Sequence, residues 1–130
     1  DAYLEQWNAL PNAWVVTGGY YQEIFYTSDA LIHDCCSFVG EYQYTHKPML
    51  YLTRKTTKLN PLGTKIIKAG YNVAGDNFEG IAHFIEDVLI AHNDTTADAR
   101  RAVFDVELNY QKENGMSASE MIFHTIDRSL

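Results

Sequence analysis

The stretch Ser28-Asp29-Ala30-Leu31-Ile32-His33-Asp34-Cys35-Cys36-Ser37-Phe38-Val39-Gly40-Glu41-Tyr42 decides how this chain folds. An apolar run (Ala30, Leu31, Ile32) ends in a polar cluster (His33, Asp34, Ser37), and Glu41 follows Ser37 by one helical turn. This is the pattern of a buried parallel strand whose carboxyl tip opens into the start of a helix. Such a junction gathers free backbone N–H groups and the positive end of a helix dipole, an arrangement suited to a phosphate. The stretch is read as an anion site, with the backbone N–H groups of Cys36 and Ser37 available to it.

Working outward, strand and helix alternate. Residues 13–17 read as a first strand broken by Gly18-Gly19, residues 20–26 as a short helix, and residues 30–33 as the second strand. Residues 36–45 read as helix. Pro48 opens a third apolar strand over 49–53, where its missing N–H is tolerated. Asn60-Pro61 marks a helix start running to about Gly70, and residues 71–74 form a short edge strand. Phe78, Ile81, Phe84, Ile85, Val88 and Leu89 mark one amphipathic helix. Thr95-x-x-Asp98 and Ser117-x-x-Glu120 look like capping boxes before two further helices. The expectation is an α/β fold: a Rossmann-like parallel sheet with crossover helices and extra C-terminal helices.

Composition sets limits. At 130 residues and 46% hydrophobic, the chain suits one compact domain over residues 1–130 and leaves no room for a second. No apolar run approaches a membrane span and no cleavable signal pattern is visible. A formal charge of −7, with ten Lys and Arg scattered along the chain, argues against a nucleic-acid surface. Cys35 and Cys36 are adjacent, which disfavours an ordinary disulfide between them, and no spacing suggests zinc or another metal. Reduced thiols and a cytoplasmic setting follow. The chain begins with Asp1 rather than Met, which reads as a piece of a longer protein, so catalytic groups are expected outside it.

The central stretch, with Lys47-Pro48-Met49-Leu50-Tyr51-Leu52 after it, resembles the C-terminal half of the CDP-glycerol glycerophosphotransferase family, the polymerases and primases of teichoic-acid-type polymers. That family carries a run like S-D-x-L-I-T-D-Y-S-S, an acidic residue four positions on, then K-P and an apolar strand. Ser28, Asp29, Leu31, Ile32, Asp34, Ser37, Lys47 and Pro48 match it. His33 stands where Thr is usual, Cys35 where Tyr is usual, and Cys36 where the first of two serines is usual, while Glu41 replaces an Asp. Arg100-Arg101 and Ser119-Glu120-x-Ile122 are similar to the family's tail.

The resemblance implies one half of a two-lobed GT-B-like glycosyltransferase fold, the half that holds the nucleotide. The absent N-terminal half of the same chain would supply the catalytic histidine. It implies transfer of glycerol phosphate from CDP-glycerol, the donor substrate, to a polyol-phosphate or glycan acceptor, with CMP released. No cofactor is implied. The setting is cytoplasmic, extending to the inner face of the cell membrane. The rivals are a lobe using a UDP- or GDP-sugar and a non-enzymatic flavodoxin-like interaction module.

The substrate-binding residues expected are His33, Asp34, Cys36, Ser37 and Glu41. Ser37 is read as a phosphate ligand ahead of a plain first-turn residue. Asp34 reads as a helix N-cap ahead of a ligand contact, since a carboxylate repels a diphosphate. His33 stands between a buried hydrogen-bonded histidine and a donor to the nucleotide phosphates. Glu41 stands between a ribose ligand on the face of Ser37 and a solvated charge. Tyr20, Tyr21, Phe25 and Tyr26 read as packing, the two cysteines as small buried residues at a crowded turn, and Arg100 and Arg101 as surface charges.

Overall fold

The computed structural model describes residues 2–129; Asp1, on which the reading of a fragment turns, lies outside the described residues. Three parallel strands form the sheet in the order β1 (Leu31–His33), β2 (Met49–Thr53), β3 (Tyr71–Ala74). Leu31 pairs with Met49 and His33 with Tyr51, while Leu50 pairs with Tyr71 and Thr53 with Ala74. The helices are α1 (Ala2–Asn8), α2 (Tyr21–Thr27), α3 (Phe38–Glu41), α4 (Pro61–Lys68), α5 (Phe78–His83), α6 (Ala97–Glu107), α7 (Tyr110–Asn114) and α8 (Ala118–Asp127). The chain is mixed α/β with a parallel sheet and three C-terminal helices, compatible with a Rossmann-like piece.

Strand side chains alternate between two apolar layers. On one face Met49 and Tyr51 pack with Phe25, Val39, Tyr42, Ile66 and Ile67, so α2, α3 and α4 cover it. On the other, Leu50 packs with Phe84 and Val88, joined by Leu52, Tyr71 and Val73. Both crossover helices, α3 and α4, lie on the same face. A constant crossover hand in a sequentially ordered sheet produces that result. β2 is the central strand and is buried over Met49, Leu50 and Tyr51.

Local chemistry fixes several helix starts. The Asn60 side chain accepts from the Gly63 N–H at 2.7 Å, with Pro61 in the first turn of α4. Asn77 does the same for Gly80 at 2.9 Å. A Cβ at Gly80 would lie 2.9 Å from Val73 Cγ1, so glycine lets α5 sit close on the sheet. Ser117 and Glu120 form the expected reciprocal capping box. Lys47 closes α2 from a distance: its Nζ donates to the carbonyls of Tyr26 at 2.6 Å and Ser28 at 2.5 Å, tying that helix end to the entrance of β2.

Four expectations are corrected. Residues 13–17 form no strand; Trp14 is 76% exposed, and an apolar run with no ladder partner gains nothing from extending. The helix over 36–45 is only α3, continued by a tight 3-10 turn over Tyr42–Thr45, where Gly40 weakens the helix and His46 ends it at φ 58°. The helix over 78–89 is α5 followed by a π-helical segment, Phe84–Ile90. The Thr95 box does not form: α6 has no side-chain cap, and Asp94 instead accepts from the Thr96 N–H at 3.3 Å.

Candidate functional site

In an open parallel sheet, ligands collect at the carboxyl ends of the strands, where loops diverge. Here those ends frame a cleft of about 590 Å³ lined by Asp34, Leu52, Thr53, Arg54, Lys55, Ala74, Gly75 and Asp76. Asp34 is the first residue after β1, and Arg54 the first after β2. Their side chains form an ion pair, with Arg54 65% and Asp34 33% exposed. A cavity of about 640 Å³ elsewhere carries Asp29, His92 and Asp94 on an otherwise apolar lining. With two carboxylates and no Lys or Arg in its lining, it is the poorer host for an anion.

Of the five residues expected to bind, only Asp34 lines the cleft. It does not cap α3, whose start at Ser37 has no side-chain cap; the Arg54 guanidinium takes the Asp34 carboxylate instead. Cys36 and Ser37 are exposed on the turn. The Ser37 hydroxyl lies 3.0 Å from Cys35 Sγ. That hydrogen bond, then the Phe38 backbone, lowers the Cys35 pKa, because both favour the thiolate. The cysteines are not both buried as expected: Cys35 is half-buried and Cys36 exposed.

Glu41 faces α2, where its Oε2 accepts from the Tyr21 hydroxyl at 2.6 Å. This bond is the largest cause of the raised Tyr21 pKa, since phenolate formation would break it. Glu41 lines a small pocket of about 170 Å³ with Phe25, Tyr26 and Tyr44 rather than the large cleft. The aromatic cluster splits: Phe25 is core and Tyr21 packs against it, while Tyr20 is 89% exposed.

His33, at the tip of β1, is 8% exposed and meets Tyr51 edge-on at 5.4 Å. Burial lowers its pKa from the usual 6.5, with the Cys35 backbone pulling the other way, which favours the neutral ring. Among the described residues, neither His33 ring nitrogen nor the Tyr51 hydroxyl has a hydrogen-bond partner of good geometry. An unpartnered buried hydroxyl is a cost to the fold. Tyr51→Phe is therefore expected to raise stability by about 1 kcal/mol, read as a higher urea midpoint; a lower midpoint would show the hydroxyl to be satisfied.

Arg54 and Lys55 escaped the sequence reading. The signal was present as two adjacent cations directly after an apolar strand, the position that parallel topology turns into a ligand-facing rim. Arg100, expected on the surface, is 5% exposed, and its guanidinium grips both Asp94 oxygens at 2.8 and 2.7 Å. Arg101 is exposed as expected. Among the described residues no cluster of three His, Cys, Asp or Glu is placed to hold a metal ion, and no helix is long and apolar enough to cross a membrane. No family model, curated protein or solved structure matches the chain.

Proposed function

We propose that this chain is the nucleotide-holding half of a GT-B-like transferase that moves glycerol phosphate from CDP-glycerol to a polyol-phosphate or glycan acceptor. The observation that carries the reading is the cleft at the carboxyl ends of three parallel strands, with Arg54 and Lys55 on its rim and the Asp34–Ser37 turn entering it through Asp34. The motif over Ser28–Pro48 supports the choice of donor. An acceptor hydroxyl attacks the β-phosphorus, the bond from the β-phosphorus to the bridging oxygen breaks, and CMP leaves with that bonding pair. The cationic rim offsets the charge gathering on the leaving phosphate. The hydroxyl proton passes to a base in the other half of the enzyme.

On this reading the chain binds CDP and CDP-glycerol at least tenfold more tightly than inorganic pyrophosphate, about 1.4 kcal/mol, because ribose and base add contacts. It releases no CMP alone, since proximity to the acceptor-holding half is missing. Calorimetric titration with CDP, CDP-glycerol, UDP and pyrophosphate checks this. Preference for UDP over CDP turns the reading to a sugar-nucleotide donor. No preference for any nucleotide over pyrophosphate overturns it.

A further inference from the structure

We propose that Arg54 is the phosphate-binding residue of the cleft and that Asp34 is its resident counter-ion, displaced when a phosphate ligand enters. The guanidinium already holds a planar oxyanion, the Asp34 carboxylate, at the rim of the cleft. Its fork of donors fits carboxylate and phosphate alike. The carboxylate oxygen thus occupies the place a phosphate oxygen takes, and a dianionic phosphate, with more charge, outcompetes it.

Exposure separates this pair from the other arginine pair of the fold. Arg100 is 5% exposed and Asp94 22%, and Arg100 also donates to Thr96 Oγ1 at 2.6 Å, so that pair is part of the packing. Arg54 is 65% exposed and Asp34 33%. An ion pair so open contributes little to folding, so opening it costs the fold little. The two partners come from successive strand tips, β1 and β2, which the register brings side by side. Lys55 follows Arg54 on the same rim, while Asp76 on the far side opposes an anion. With Asp34 neutralising Arg54, Lys55 and Asp76 cancel, and the unliganded cleft has no net charge. Turning Asp34 out of the cleft leaves Arg54 and Lys55 against Asp76 alone, and that makes it cationic.

The inference rests on the nucleotide reading only for the identity of the ligand. Its test is calorimetric titration of the chain and of Arg54→Gln, Arg54→Lys, Asp34→Asn and the double variant Asp34→Asn/Arg54→Gln with inorganic pyrophosphate and with CDP, melting curves confirming each fold. Arg54→Gln is expected to weaken both ligands about tenfold, the loss of one charged, bidentate contact, and Arg54→Lys to recover part of it. Asp34→Asn is expected to tighten both several-fold, and the double variant to match Arg54→Gln. Weaker binding by Asp34→Asn, or Arg54→Gln within twofold of wild type, overturns the proposal. Pyrophosphate binding that follows this pattern, with CDP no tighter, keeps the inference and overturns the nucleotide reading. Tight CDP binding indifferent to both residues does the reverse, and no binding of either ligand overturns both.

Discussion

Tyr42→Ala is expected to cost about 4 kcal/mol, within the range for emptying a large aromatic from a core. Tyr42 is 0% exposed and stacks edge-on to Phe25 at 5.1 Å. Its hydroxyl lies 2.9 Å from Ser28 Oγ, and because Ser28 gives its own hydrogen to the Phe25 carbonyl, Tyr42 is the donor. The ring thus joins the turn after α3 to the end of α2 and to the face of β2, the three elements that set where the Asp34–Ser37 turn lies. Tyr42→Phe keeps the ring and is expected to lose only about 1 kcal/mol for the hydrogen bond. Equilibrium urea unfolding of the two variants tests the division. Similar losses in both would mean that the hydroxyl, not the ring, holds the layer together.

Arg100→Met is the second large loss, about 3 kcal/mol, because it leaves the Asp94 carboxylate half-buried without its partner. The Arg100 hydrogen bond is the main cause holding the Asp94 carboxyl below its usual 3.8, with a smaller pull from Tyr71. The folded chain therefore binds that proton less readily than the unfolded one. The pair's contribution is complete above about pH 3.8 and is lost as pH falls through the lowered value. The stability gap between wild type and Arg100→Met should be full at pH 7 and narrow toward pH 3. A gap independent of pH would assign the loss to the packing of the arginine stem.

Features legible in the sequence are those whose chemistry is contained in neighbouring residues. The short apolar runs at Leu31 and Met49, Pro48 ahead of β2, the Asn60-Pro61 start and the Ser117 box each state their conformation within a few positions. Features that depend on a distant partner are not legible. Residues 13–17 have strand-like composition, yet a strand exists only with a neighbour to pair with. The π-helical segment Phe84–Ile90 leaves no mark in the sequence, because Phe84 and Val88, four apart, share a face in an α-helix as well. In the candidate site, Asp34 looks like a cap until Arg54 is brought beside it by strand register. Glu41 stands between a ribose ligand and a solvated charge in the sequence, where the hydrogen bond it accepts from Tyr21 of α2 is not visible. That a turn joins β1 to α3 is readable in the sequence, whereas its partners are not, because topology brings them there.

The position of β2 bears on what happens when the fold opens. Met49-Leu50-Tyr51-Leu52-Thr53 is uncharged, mostly apolar, extended in the fold and free of Pro and Gly, features shared with segments that template fibrillar aggregates. The native sheet keeps it in the middle, paired on both sides. The open edges belong to β1 and β3, with three and four residues, too short to recruit a foreign strand well. Lys47 and Pro48 stand immediately before the segment and Arg54 and Lys55 immediately after it, as charged and ring-locked gatekeepers do beside hydrophobic strands that a fold cannot avoid. The cations on the cleft rim thereby also keep the unfolded chain soluble.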